Sequence, residues 1–100
     1  MSKGYWLAQV DVTDPDAYMH YIAANQIAFH KYGARYVVRA GRHEIMEGAC
    51  RLRLVVIEFE NYDTALACYR SPEYRHAITL RQGNAVADIV VVEGYDGAQP

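Results

Sequence analysis

Two stretches of the chain contain no polar residue: Leu54-Val55-Val56-Ile57 and Ile89-Val90-Val91-Val92. A strand with one solvated face alternates apolar and polar residues, so unbroken runs of this length predict strands buried on both sides. A third segment, Tyr5 to Val12, does alternate. Trp6, Ala8, Val10 and Val12 share one face; Tyr5, Leu7, Gln9 and Asp11 share the other. The second strand in chain order is predicted over Arg35 to Ala40, with Tyr36 and Val38 on one side and Arg35, Val37 and Arg39 on the other. The third strand runs over about Leu52 to Glu60 and the last over about Ala87 to Glu93. Gly41-Arg42-His43 reads as a turn, and Glu44 to Glu47 is expected to extend the ribbon until Gly48 breaks it.

Between the strands the apolar period changes to that of a helix. Asp14-Pro15-Asp16 combines an N-cap, a proline suited to the first helical position and an acid at the positive helix end. Tyr18, Tyr21, Ile22, Asn25, Ala28, Phe29 and Tyr32 follow at helical spacing, and Gly33 ends the helix. Asn61 caps a short helix over Tyr62 to Tyr69. Ser71-Pro72-Glu73 restarts a helix that runs to about Arg81 or Gln82, stopped by Gly83.

The order strand, helix, strand, strand, helix, strand, with right-handed crossovers, predicts an α+β ferredoxin-like βαββαβ sandwich. Its antiparallel sheet has strand order 4-1-3-2, with helices on one face. Trp6, Val10, Tyr36, Val38, Val55, Ile57 and Phe59 are expected to meet the helices. Leu7, Val37, Leu54, Val56, Val90 and Val92 are left on the open face. The helices cover one side only, so the chain is expected to form a homodimer through the open sheet face. One hundred residues make one domain, assigned to 1–95, with a frayed tail over 96–100.

Charge narrows the partners. A net charge of -2 gives no basic footprint for nucleic acid or an anionic membrane. Arg51-Leu52-Arg53 is read as a strand with its arginines on one side. No apolar run approaches the roughly 18 residues of a membrane span. Cys50 and Cys68 form no disulfide or zinc spacing, and no charged-then-apolar leader opens the sequence. These features predict a cytoplasmic location.

Gly4-Tyr5-Trp6, Asp14-Pro15, Lys31 to Tyr36, Val56 to Phe59, Tyr69-Arg70-Ser71-Pro72-Glu73-Tyr74, Leu80-Arg81 and Val92 to Tyr95, in this order, resemble the bacterial domain-of-unknown-function family 1330, within the dimeric α/β-barrel superfamily. The resemblance covers nearly the whole chain and is most specific in Ser-Pro-Glu-Tyr followed by Leu-Arg. It implies a ferredoxin-like protomer paired sheet to sheet as a dimer, and no known reaction. Ala34 stands where that family commonly carries a second glycine.

Several clusters could carry chemistry. Arg39 and Glu58 are expected together on the open face with Gln9 and Asp11. There Glu58 would be an acid or base and Arg39 an anion holder; the plainer reading is an ion pair fixing register. Tyr69, Arg70, Tyr74 and Arg81 could line a pocket in which arginine holds a carboxylate, or simply pack. His20, His30 and His76 read as surface histidines. His43, in its turn, could reach a partner's cleft as an acid or base. Asn25 interrupts an apolar stripe and must bridge to backbone or face a pocket. No histidine spacing suits a metal, no CxxC follows the first strand, and no glycine-rich phosphate loop or RNA-stacking motif is present. No cofactor is expected. The function predicted is binding of a small anionic or carbonyl compound in a cleft near the dimer seam, with Glu58 and His43 as proton movers and Arg39, Tyr69, Tyr74, Arg81 and Asn25 as binding residues. The competing reading is a non-catalytic ligand-binding or stress-associated module whose polar cluster only fixes the dimer.

Overall fold

Three side chains start the three helices. Asp14 accepts from the Ala17 amide, Asn61 from Thr64 and Ser71 from Tyr74, so each helix begins on a satisfied cap. The computed structural model describes residues 2–100 and arranges them as β1 (Gly4–Val12), α1 (Pro15–Lys31), β2 (Arg35–Arg39), β3 (Arg53–Phe59), α2 (Tyr62–Arg70), α3 (Pro72–Arg81) and β4 (Ala85–Glu93). The strands form one antiparallel sheet in the order β2-β3-β1-β4, the predicted order read from the other edge. The fold is the ferredoxin-like α+β sandwich. Gly33, after α1, has φ +67°, a backbone state that glycine adopts without strain.

The core lies between sheet and helices. From the sheet it takes Trp6, Val10, Val55, Ile57 and Phe59; from the helices, chiefly Tyr18, Tyr21, Phe29, Cys68 and Tyr74. Trp6 is the hub, 1% exposed. Its ring meets Phe29, Tyr69 and Tyr74 edge-on at centroid distances of 5.3, 5.6 and 4.8 Å. Its Nε1 donates to the Ala65 carbonyl at 2.8 Å. Such aromatic pairs contribute roughly 0.5–1.5 kcal/mol each beyond area burial. Burial also pushes the Cys68 thiol up to about 12, so it stays protonated.

The expected faces hold for β1, β3 and β4 but fail in β2. Tyr36 pairs with Ile57, yet Val38 pairs with Val56, so Val37 is an extra residue in a bulge. Side-chain parity reverses beyond it. Val38 therefore lies on the open face, where the sequence placed Arg39. Arg39 stands opposite Val55, on the helix side.

The ribbon beyond β2 also differs from expectation. Ala40, at φ +54°, closes it through its amide to the Leu54 carbonyl at 2.8 Å. No strand forms over 44–47; residues 40–49 are irregular and exposed. The segment returns through Arg51, which does not share a face with Arg53. Arg51 bridges Asp11 and Asp88 on the open side at 2.9 and 2.7 Å, whereas Arg53 opens β3 toward the helices. After β4 the chain is irregular and exposed, tied back by the Gly94 amide to Lys3 and the Ser2 hydroxyl to Asp96.

Candidate functional site

The stripe of α1 that faces the sheet carries Tyr18, Tyr21, Ile22, Asn25 and Phe29, linked by spacings of three and four residues along one helical face. Below it, Val55 and Ile57 of β3 and Ala8 and Val10 of β1 form an apolar floor. Tyr36 and Arg39 stand at the β2 edge, and Arg53 closes the β3 end. Together they enclose a cleft between α1 and the sheet. Its deep part holds about 30 Å³, and its atom-free space reaches about 440 Å³ with the solvent-open mouth included. The deep part is the size of a water or two. A larger ligand would therefore occupy the mouth as well.

The charges of this cleft have one sign. Arg39 and Arg53 both line it, and no carboxylate or imidazole does. Among the described residues neither arginine has an ion-pair partner. The Arg39 guanidinium lies over the Tyr36 ring at 4.3 Å, and that of Arg53 is 6.0 Å from the Tyr18 ring centroid. The Nε of Arg53 is buried without a protein acceptor. A buried donor left unmatched costs roughly 1–3 kcal/mol. Burial raises the Tyr18 phenol above its ordinary value, with neighbouring Tyr21 adding to it and Arg53 and Arg81 opposing. Tyr18 is therefore a neutral phenol at physiological pH.

Asn25 resolves toward the cleft. Its Oδ1 accepts from the Gln26 amide at 3.0 Å, and the same Gln26 nitrogen donates to the Tyr36 hydroxyl at 2.7 Å. This small network links α1 to the β2 edge.

The other expected site residues do not gather here. Glu58 lies on the open face, held by the Tyr5 hydroxyl at 3.2 Å and Arg35 Nε at 3.3 Å. The bulge separates it from Arg39 by the thickness of the sheet. His43 is exposed on the 40–49 segment, its Nδ1 3.1 Å from the Gly41 carbonyl, and is not part of the cleft. Tyr69 contributes an edge to the core and a wall to a separate surface pocket with Arg70. Tyr74 is fully buried, and its hydroxyl contacts Tyr21 at 2.6 Å and Arg81 Nη1 at 3.1 Å. Tyr74 and Arg81 thus stand behind the cleft wall, with Tyr21 between. Sequence reasoning missed Arg53 as a cleft residue. The signal was available: Arg53 shares the two-residue period of Val55, Ile57 and Phe59. Among the described residues no group of three or more His, Cys, Asp or Glu is placed to hold a metal.

The model of one protein family, a domain of unknown function (DUF1330), matches residues 3–95. The chain belongs to this family. No curated protein matches the chain. Solved structures share its fold at low identity. A protein of unknown function from Rhodopseudomonas palustris is 18% identical, with TM-score 0.72, covering 99% of this chain and 85% of its own. SnoaB, a cofactor-independent oxygenase from Streptomyces nogalater, is 10% identical, with TM-score 0.66, covering 100% and 97%. An ethyl tert-butyl ether D (EthD) family protein from Bacillus halodurans is 12% identical, with TM-score 0.58, covering 95% and 100%. At these identities the likeness is one of fold. Among the described residues of this DUF1330 member, no helix is long and apolar enough to cross a membrane.

Proposed function

We propose that this DUF1330 chain binds a small planar organic anion, such as an aromatic carboxylate or an enolate, in the cleft between α1 and the sheet. One observation carries the reading. The buried Nε of Arg53 lacks a protein acceptor in an aromatic-lined cleft whose only charges are Arg53 and Arg39. A bound carboxylate would supply the acceptor and neutralise the guanidinium, in a bond about twice as strong as a neutral one. The rings of Tyr18, Tyr36, Phe29 and Trp6 suit a flat apolar body. SnoaB supports the idea that a fold of this kind can serve small-molecule chemistry. The acid–base roles considered for Glu58 and His43 are not needed for this binding.

We also infer that a second copy covers the open face. Leu7, Val38, Val86, Val90 and Val92 form an apolar surface there, between 37% and 57% exposed. The bulge enlarges it by supplying Val38 and withdrawing Arg39. With two free cysteines, the cytoplasm is the location we assign.

Benzoate is the probe for the cleft. In an NMR titration it is expected to move the signals of Arg53, Asn25 and Tyr36, and Arg53→Gln is expected to weaken it by about tenfold or more. An unmoved cleft, or equal binding by the variant, overturns the reading.

A further inference from the structure

Tyr21 belongs to two sites at once. It lines the cleft, and its hydroxyl oxygen lies 2.6 Å from that of Tyr74. Arg81 Nη1, on α3, is 3.3 Å from the Tyr21 oxygen and 3.1 Å from the Tyr74 oxygen, and its guanidinium lies 5.0 Å from the Tyr21 ring centroid. A guanidinium only donates, so both phenolic oxygens accept from it.

Counting protons orders the rest. The two phenols bring two hydroxyl protons, and their mutual contact uses one. Tyr74 is 0% exposed, and its hydroxyl has no partner other than Tyr21 and Arg81 among the described residues. If Tyr21 were the donor, the Tyr74 proton would be buried with no acceptor, the costly arrangement for a polar group. Tyr21 is only 6% exposed but lines the cleft, so its proton alone has space to turn into, and the order that strands neither proton has Tyr74 donating to Tyr21. Burial keeps Tyr74 protonated, since its hydroxyl is raised far above the ordinary phenol value. The Tyr21 oxygen then accepts twice, and its own proton has no protein acceptor.

We propose that the Tyr21 hydroxyl donates a hydrogen bond to a carbonyl or oxyanion of the ligand at the α3 side of the cleft, with Tyr74 and Arg81 as its positioning residues. The proposal rests on the reading of the cleft as an anion site and makes it more specific. Accepting from a cation and from a neighbouring phenol polarises the Tyr21 O–H and strengthens it as a donor. Arg53 closes the β3 end of the cleft and Arg39 lies on the edge strand β2, whereas Tyr21 is bonded to α3. The ligand therefore carries its anionic group toward the two arginines and a second oxygen on the α3 side. Keto-substituted or hydroxylated aromatic acids are the class described.

Benzoate and 4-acetylbenzoate separate the two claims in the folded protein. The ketone is expected to bind about tenfold tighter than benzoate, and its infrared carbonyl band is expected to shift to lower frequency on binding. Tyr21→Phe is expected to abolish both effects, so that this variant binds the ketone no more tightly than it binds benzoate. Tyr74→Phe is expected to reduce the band shift, which a purely structural role would not do. If benzoate itself does not bind, the anion site fails. If benzoate binds and the ketone is no tighter or its band does not move, the Tyr21 assignment alone is overturned. The proton order is tested without any ligand. The Tyr74 hydroxyl proton should exchange slowly with water in NMR spectra and the Tyr21 proton quickly; the reverse order overturns the proposal.

Discussion

The hydroxyls of Tyr21 and Tyr74 meet at 2.6 Å, although 53 residues separate them in sequence. Their contact, tied by Arg81, joins α1 to α3 at the back of the cleft. Tyr74→Phe keeps the ring in the Trp6 cluster and removes only the hydroxyl. It is expected to cost about 1–2 kcal/mol in urea unfolding, because Arg81 loses an acceptor and Tyr21 a donor. The double variant with Arg81→Leu should lose less than the sum of the two single changes, since both belong to one network. Full additivity in that cycle would show that the groups act independently.

Gly4 opens β1 where the carbonyl of Asn61 and the backbone of Tyr62 approach it. A Cβ at Gly4 would collide with both. Neither obstacle is a side chain that could swing away, and Asn61 is the cap of α2. Gly4→Ala is therefore expected to destabilise the fold by roughly 1–3 kcal/mol. Gly41→Ala, with nothing within 4 Å of the added methyl, is the control and should be near neutral. Equal unfolding midpoints for the two variants would contradict the close approach.

Asp11 holds the returning segment. Its carboxylate accepts from the Leu52 amide at 3.0 Å and from Arg51 at 2.9 Å. Those bonds, the Leu52 amide first and Arg51 next, hold it below the ordinary aspartate value. A depressed folded value stabilises fully above the ordinary unfolded value near 3.9 and is lost as pH falls through the lower folded one. The Leu52 amide signal is expected to titrate below about pH 4, and Asp11→Asn should remove that titration. An unchanged profile in the variant would assign the effect to another carboxylate.

Val90 lies opposite Leu7 near the centre of the open face. Placing a charge there should be tolerated by an isolated protomer and not by two stacked sheets. Val90→Asp is expected to halve the mass measured by light scattering in dilute solution while preserving the far-ultraviolet dichroism spectrum. A wild-type protein that scatters as a single copy would remove the dimer from the account.

Much of this was legible in the residues. The caps Asp14, Asn61 and Ser71 work through bonds to amides three residues away, so local sequence suffices to find them. The faces of β1, β3 and β4 follow from the two-residue period, and that period also carried the overlooked Arg53. The α1 stripe showed Tyr18, Tyr21 and Asn25 on one side, because 3.6-residue spacing needs no knowledge of the sheet.

Other relationships required the assembled fold. Nothing within Arg35 to Arg39 announces a bulge, since no glycine or proline marks Val37. The extra residue arises from how β2 pairs with β3, and it decides that Arg39 joins the cleft instead of Glu58. The meeting of Tyr21, Tyr74 and Arg81 depends on the packing of α1 against α3. Periodicity along one segment says which way a side chain points; only packing between segments decides what it meets.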